Sequence, residues 1–143
     1  MTDIGFIGLG IMGRPMAGHL QAAGHRLYVL EKSAAAKDLV AAGAIACKSG
    51  KEIAEKASVV IIMVPDTPDV ESVLFTAGGV AEGLSKGKVV VDMSSISPIA
   101  TKEFAKKVNA KGADYLDAPV SGGEVGAKAA SLTIMVGGPQ GAF

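Results

Sequence analysis

The 143-residue sequence predicts an α/β fold: a doubly wound, mostly parallel sheet with helices on both faces. Three observations carry this. Short apolar runs alternate along the chain with longer stretches of helical period. The run Val59-Val60-Ile61-Ile62-Met63-Val64 has no polar alternation, as expected of a strand buried on both faces of a parallel sheet. Aromatic residues make up only 4% and Trp is absent, whereas there are 19 glycines, a composition suited to close packing of helix on sheet.

Taken in order, residues 4–7 form a compact strand-like run, closed by Gly8-Leu9-Gly10. Met12, Met16 and Leu20 then recur at i, i+4 and i+8, one apolar face of a helix that should stop near Gly24. Residues 26–30 read as a second strand, 34–42 as a helix broken by Gly43, and 44–46 as a brief strand. Ser49 with Glu52 three residues on is a capping-box pattern that opens a helix through about Lys56. After the 59–64 strand, Pro65 and Pro68 break the chain, and Val70, Val73 and Leu74 give the apolar face of a helix before Gly78-Gly79. Residues 89–91 are the next strand. Ser97-Pro98 has the residue types of a cap and first helical position for a helix running to Gly112. Tyr115-Leu116 begins a further strand, 119–123 is a loop, and 132–136 is a last strand.

Length and charge bound the function. One domain commonly occupies about 100–150 residues, so a single unit over 1–143 is expected. Lys+Arg and Asp+Glu number 14 each, and the resulting zero net charge gives no pull toward nucleic acid or an anionic membrane. The amino-terminal residues lack the pattern of a secretory leader, so none is expected; no apolar run approaches the ~20 residues of a membrane span, and the single Cys47 cannot form an internal disulfide. A cytoplasmic protein is expected, with no nucleic-acid or membrane partner. No His/Cys/Asp cluster has metal-ligand spacing, so no metal is expected.

Gly8-Leu9-Gly10-Ile11-Met12-Gly13 is a G-x-G-x-x-G pattern lying between a strand and a helix, the context that a dinucleotide site demands. Gly8 permits the tight turn, Gly10 lets a pyrophosphate approach the backbone, and Gly13 lets the helix lie close on the strand. Free N–H groups and the helix dipole meet the phosphate charge. The fold class sharpens accordingly to a Rossmann-type sheet. Glu31 ends the second strand 18 residues after Gly13, near the offset of an acid that accepts from the adenosine ribose hydroxyls. A carboxylate there repels a 2′-phosphate, which favours NAD(H), while the adjacent Lys32 leaves NADP(H) possible. Met63-Val64-Pro65 and Asp92-Met93-Ser94-Ser95 close two further strands at the carboxyl edge, where a nicotinamide ribose would sit. Pro65 and Ser94 equally suit mere strand ends, and Ser94 or Ser97 a cap on the next helix. Ser121 with Gly122 and Gly123 makes a concave donor cluster able to hold a carboxylate. His19 and His25 suit packing or dipole roles, Cys47 suits core filling, and Lys128 suits a surface pair with Glu124.

The stretch Phe6 to Leu20 and the loop Asp117 to Gly123 resemble the signatures of the β-hydroxyacid dehydrogenase family, and the likeness runs the length of the chain. The segments Met63 to Pro68 and Asp92 to Pro98 narrow it within that family. The resemblance implies reduction of tartronate semialdehyde to glycerate with NAD(P)H, a homo-oligomeric full-length protein and a small-molecule hydroxyacid or semialdehyde substrate. It places Ile11 and Met12 at the pyrophosphate, Glu31 at the adenosine ribose, Val64, Pro65 and Ser95 toward the nicotinamide, and Ser121, Gly122 and Gly123 at the substrate carboxylate. The family's general acid is a lysine on a helix beyond the substrate loop, so that lysine and an all-helical second domain are expected past Phe143, and the 143 residues contain no catalytic residue of their own. A related enzyme acting on 3-hydroxyisobutyrate and a non-catalytic NAD-binding module are the alternatives; a 6-phosphogluconate-type enzyme would call for phosphate-binding basic residues not found in the sequence.

Overall fold

The computed structural model describes residues 3–9, 13–32, 36–64, 67–94, 98–118, 120–121 and 133–134. Six parallel strands form one sheet: β1 (Asp3–Ile7), β2 (Arg26–Leu30), β3 (Ile45–Cys47), β4 (Val59–Ile62), β5 (Val89–Asp92) and β6 (Asp114–Asp117). Their spatial order is β3-β2-β1-β4-β5-β6. Strand order therefore reverses between β1 and β4, which opens a crevice at the carboxyl edge. The fold expected from the sequence is the fold observed.

Side chains alternate across each strand, so the sheet has two cores. On one face Val60, Ile62, Val90 and Tyr115 pack with α3 (Gly50–Lys56), α4 (Thr67–Phe75), α5 (Val80–Gly83) and α6 (Pro98–Asn109), through Ile53, Leu74, Val80 and Phe104 among others. On the other face Ile4, Phe6, Leu27 and Val29 pack with Ala17 of α1 (Gly13–Ala22) and with Ala36 and Leu39 of α2 (Ala36–Ala41). Each large apolar side chain so buried contributes about 1.5–3 kcal/mol. Full burial of β4 on both faces is not what is found. Val60 and Ile62 are wholly buried, but Val59 and Ile61 are half-buried, because Ile61 meets only the margin of the second core.

Half of the capping box forms: Ser49 Oγ accepts the Glu52 N–H at 3.2 Å, while the Glu52 carboxylate accepts the N–H of Lys48, one residue before the cap, at 3.4 Å. At the other end of α3, Lys88 Nζ donates to the carbonyls of Ala54, of Glu55 at 2.9 Å and of Ala57 at 3.0 Å. A cation on terminal carbonyls satisfies orphan acceptors and complements the helix dipole. Burial pushes this ammonium's pKa down, yet it remains the cap. Substituting Lys88→Met is expected to lower the unfolding free energy by about 1–2 kcal/mol, read by urea denaturation.

Three expectations need correction. Helix α5 is additional, being only four residues long and thus too short to show a period, and Gly79 caps it without a side chain. Helix α6 ends at Asn109, where tight turns from Lys111 and Gly112 back to Val108 and Asn109 replace the helical ladder. Residues 119–123 are not simply a loop. Val120–Ser121 forms β7, antiparallel to β8 (Thr133–Ile134), in a separate two-stranded sheet, so the last strand does not extend the parallel sheet. An antiparallel pair forms without the helical crossover that a further parallel strand would require.

Candidate cofactor site at the carboxyl edge

Register brings the candidate residues together. Ile7, Ile62, Asp92 and Asp117 are cross-strand partners in one row, the last row of β1, β4, β5 and β6. Hydrogen bonds continue one residue beyond it: the Met63 N–H donates to the Ile7 carbonyl at 2.9 Å, Met93 to Ile62 at 2.8 Å, and Ala118 to Asp92 at 2.8 Å. Gly8, Met63, Met93 and Ala118 thus stand level at the rim of the crevice.

Gly8 adopts φ +104°, a region closed to most side chains, and a Cβ there would overlap the Met63 carbonyl. A Cβ on Gly13 would overlap the Gly8 carbonyl and stand 3.2 Å from the Phe6 ring. Both glycines are therefore required for α1 to start directly over the end of β1. The ten-residue α1 begins at Gly13, against Gly8 at this rim, and the amino end of a helix favours an anion. Gly10, Ile11 and Met12 lie outside the described residues, as do Pro65, Ser95, Gly122, Gly123 and Lys128. Ser121 is placed by its backbone in β7, paired with Thr133.

At the β1–β3 side of the crevice a cavity of about 310 Å³ is lined by Ile7, Leu30, Lys32, Lys48, Ser49 and Thr76 among others. Glu31 is exposed and held by its N–H to the Cys47 carbonyl at 2.9 Å. Its neighbours are Ala36, Lys37, Val40 and Ala46, around a second cavity of about 380 Å³. The acid and the adjacent lysine thus border different spaces. Lys48 and Ser49 were not anticipated as lining residues; only the β2–β3 register brings them beside Leu30.

At the β4–β6 side Ser94 is 1% exposed. Its Oγ accepts the Val64 N–H at 2.9 Å, and its N–H donates to Asp92 Oδ1 at 2.9 Å. Ser94 therefore acts on the backbone around it rather than presenting a hydroxyl at the surface. Asp92 is wholly buried, and its Oδ2 accepts the Tyr115 hydroxyl at 2.5 Å. Burial raises the pKa of the Asp92 carboxyl, against the Tyr115 and Ser94 hydrogen bonds that favour its ionised form. Burial also raises Asp117, with the Asp92 charge adding to it, and raises the Tyr115 phenol for the same two reasons in the same order. From the sequence Asp92 only closes a strand and Tyr115 only begins one; the available signal for more was an acid ending an otherwise apolar strand. Cys47 is buried, and burial together with the Glu52 carboxylate pushes its thiol up to about 11, in keeping with a core role. Among the described residues no group of three or more His, Cys, Asp or Glu could hold a metal ion, and no helix is long and apolar enough to cross a membrane.

Residues 3–143 match the family of the NAD-binding domain of 6-phosphogluconate dehydrogenase. The chain belongs to this family. Within it, the chain is 54% identical over 140 residues to the 2-hydroxy-3-oxopropionate reductase of Escherichia coli (strain K12), covering 98% of this chain and 48% of the relative. A crystal structure of 3-hydroxyisobutyrate dehydrogenase from Salmonella typhimurium superposes with a TM-score of 0.92 at 34% identity, over 100% of this chain and 50% of that one. The solved complex of Psf3 with NADP+ and 2-OPP superposes with a TM-score of 0.91 at 31% identity, over 97% and 50% of the two chains. The chain spans about half the length of the relatives it matches. The resemblance to β-hydroxyacid dehydrogenases holds, and the domain is an NAD(P)-binding one. Gly8 and Gly13, whose missing side chains let the turn and the start of α1 lie directly against the ends of β1 and β4, fit such a cofactor.

Proposed function

We propose that this chain is the cofactor-binding part of a reductase that converts 2-hydroxy-3-oxopropionate to glycerate with NAD(P)H. The observation that carries the reading is the 54% identity to the Escherichia coli reductase over nearly the whole chain. Bound cofactor supplies a hydride to the aldehyde carbon. Gly8, Gly10, Ile11, Met12 and Gly13 take the pyrophosphate, Glu31 takes the adenosine ribose hydroxyls, and Met63, Val64, Pro65, Ser94 and Ser95 shape the nicotinamide end. Ser121, Gly122 and Gly123 hold the substrate carboxylate. The proton for the carbonyl oxygen comes from a lysine outside these 143 residues, on the family resemblance.

The test compares glycerate and 3-hydroxyisobutyrate oxidation by the native full-length polypeptide carrying this sequence. At least tenfold higher kcat/KM for glycerate, a margin of about 1.4 kcal/mol, is expected. Preference for 3-hydroxyisobutyrate would overturn the substrate reading. The 143 residues alone are expected to bind NADH without turnover; turnover by them would overturn the assignment of the acid.

A further inference from the structure

We propose that the buried chain Tyr115–Asp92–Ser94 is a positioning device for the nicotinamide half of the site, holding the ends of β4, β5 and β6 in one arrangement; this rests on the cofactor reading above. Two strands, β5 and β6, meet at one carboxylate, and Ser94 links it to the end of a third, β4. Tyr115 of β6 donates to Asp92 Oδ2, the Ser94 N–H just past β5 donates to Oδ1, and Ser94 Oγ takes the Val64 N–H just past β4. The Asp92 carbonyl also accepts the Ala118 N–H, on the segment leading to Ser121. Asp92 is 0% and Ser94 1% exposed, and Tyr115 belongs to the core.

A buried carboxylate is a costly way to join three strands. Apolar side chains of similar shape would serve stability as well or better. What a satisfied polar network adds is a single geometry, since each bond is directional and any displacement leaves a buried group unpaired. The residues so held, Val64 and Ser94, are among those that shape the nicotinamide end in the proposed reading. None of these contacts reaches β2, β3 or the cavity bordered by Lys32 and Lys48. The device acts on one half of the crevice and leaves the adenosine half alone.

That asymmetry makes the test specific. Affinities for NADH and for AMP are measured by calorimetry on the native full-length polypeptide and its Tyr115→Phe, Ser94→Ala and Asp92→Asn variants. Loss of one buried hydrogen bond from the network is expected to raise the Kd for NADH by about fivefold or more, while the Kd for AMP stays within about twofold. In turnover assays KM for NADH should rise and inhibition by AMP should not change. An unchanged ratio of the two affinities in Tyr115→Phe and Ser94→Ala, whether both fall or neither does, would show a purely structural network and overturn the inference. So would failure of Tyr115→Phe, which removes a single oxygen, to fold. Absence of NADH binding by the unsubstituted protein would instead refute the cofactor reading, and this inference with it.

Discussion

Substitution of Gly13 by valine is expected to abolish measurable NADH binding and to lower the thermal midpoint. Even the first added carbon would overlap the Gly8 carbonyl, which is backbone and can yield only if α1 lifts from β1. Phe6, with no exposed surface, stands behind it and blocks the other way out. Relief by displacement costs about 1–3 kcal/mol of stability, as for other overpacked sites. Binding suffers more, because the amino end of α1 stands at the rim only while Gly13 lies against Gly8, and an anion site at the amino end of a helix depends on that placement. A rise in Kd of about a hundredfold or more is expected for Gly13→Val, and a smaller one for Gly13→Ala. Titration of NADH fluorescence checks binding and differential scanning calorimetry checks stability. Wild-type affinity in Gly13→Ala would mean that the glycine-rich turn is packing alone.

Replacing Glu31 by alanine is expected to shift cofactor preference toward NADPH by about tenfold to a hundredfold. The carboxylate would accept from two ribose hydroxyls of NADH, and charge-assisted hydrogen bonds contribute about 1.5–3 kcal/mol. The same charge opposes a 2′-phosphate, so its removal weakens one cofactor and favours the other. The structure sharpens this expectation. Lys32 and Lys48 both border the cavity next to Leu30, whereas Glu31 borders a different one with Lys37. A 2′-phosphate in the space that Glu31 borders would therefore meet Lys37 once the acid is gone, and Lys37→Ala in the Glu31→Ala background should reverse part of the gain. The ratio of Kd values for NADH and NADPH measures both effects. A Glu31→Ala protein that loses affinity for NADPH more than for NADH would overturn the assignment of this carboxylate to the ribose.

Local signals account for what was legible in the chain. The turn at Gly8 through Gly13, the Ser49 cap of α3, and the apolar runs that became β1, β2, β4 and β5 each lie within a few residues, where backbone preference and hydrophobic period act directly. Less local features were missed. Helix α5 has four residues and cannot show a period, so its buried Val80 and Ala81 read as loop. The pairing of Val120–Ser121 with Thr133–Ile134 depends on a partner a dozen residues on.

By itself, then, the sequence determined the order of β1 to β6 and of the longer helices between them, the glycine-rich turn and the acid at the end of the second strand, because each is written in neighbouring residues. Tertiary structure alone decided that Ile7, Ile62, Asp92 and Asp117 share one row, that Tyr115 and Ser94 close on the same buried carboxylate, and that Glu31 and Lys32 border separate spaces. The reason is register: parallel pairing aligns residues separated by an entire helical crossover, and no pattern within a single segment encodes which residue will stand opposite which.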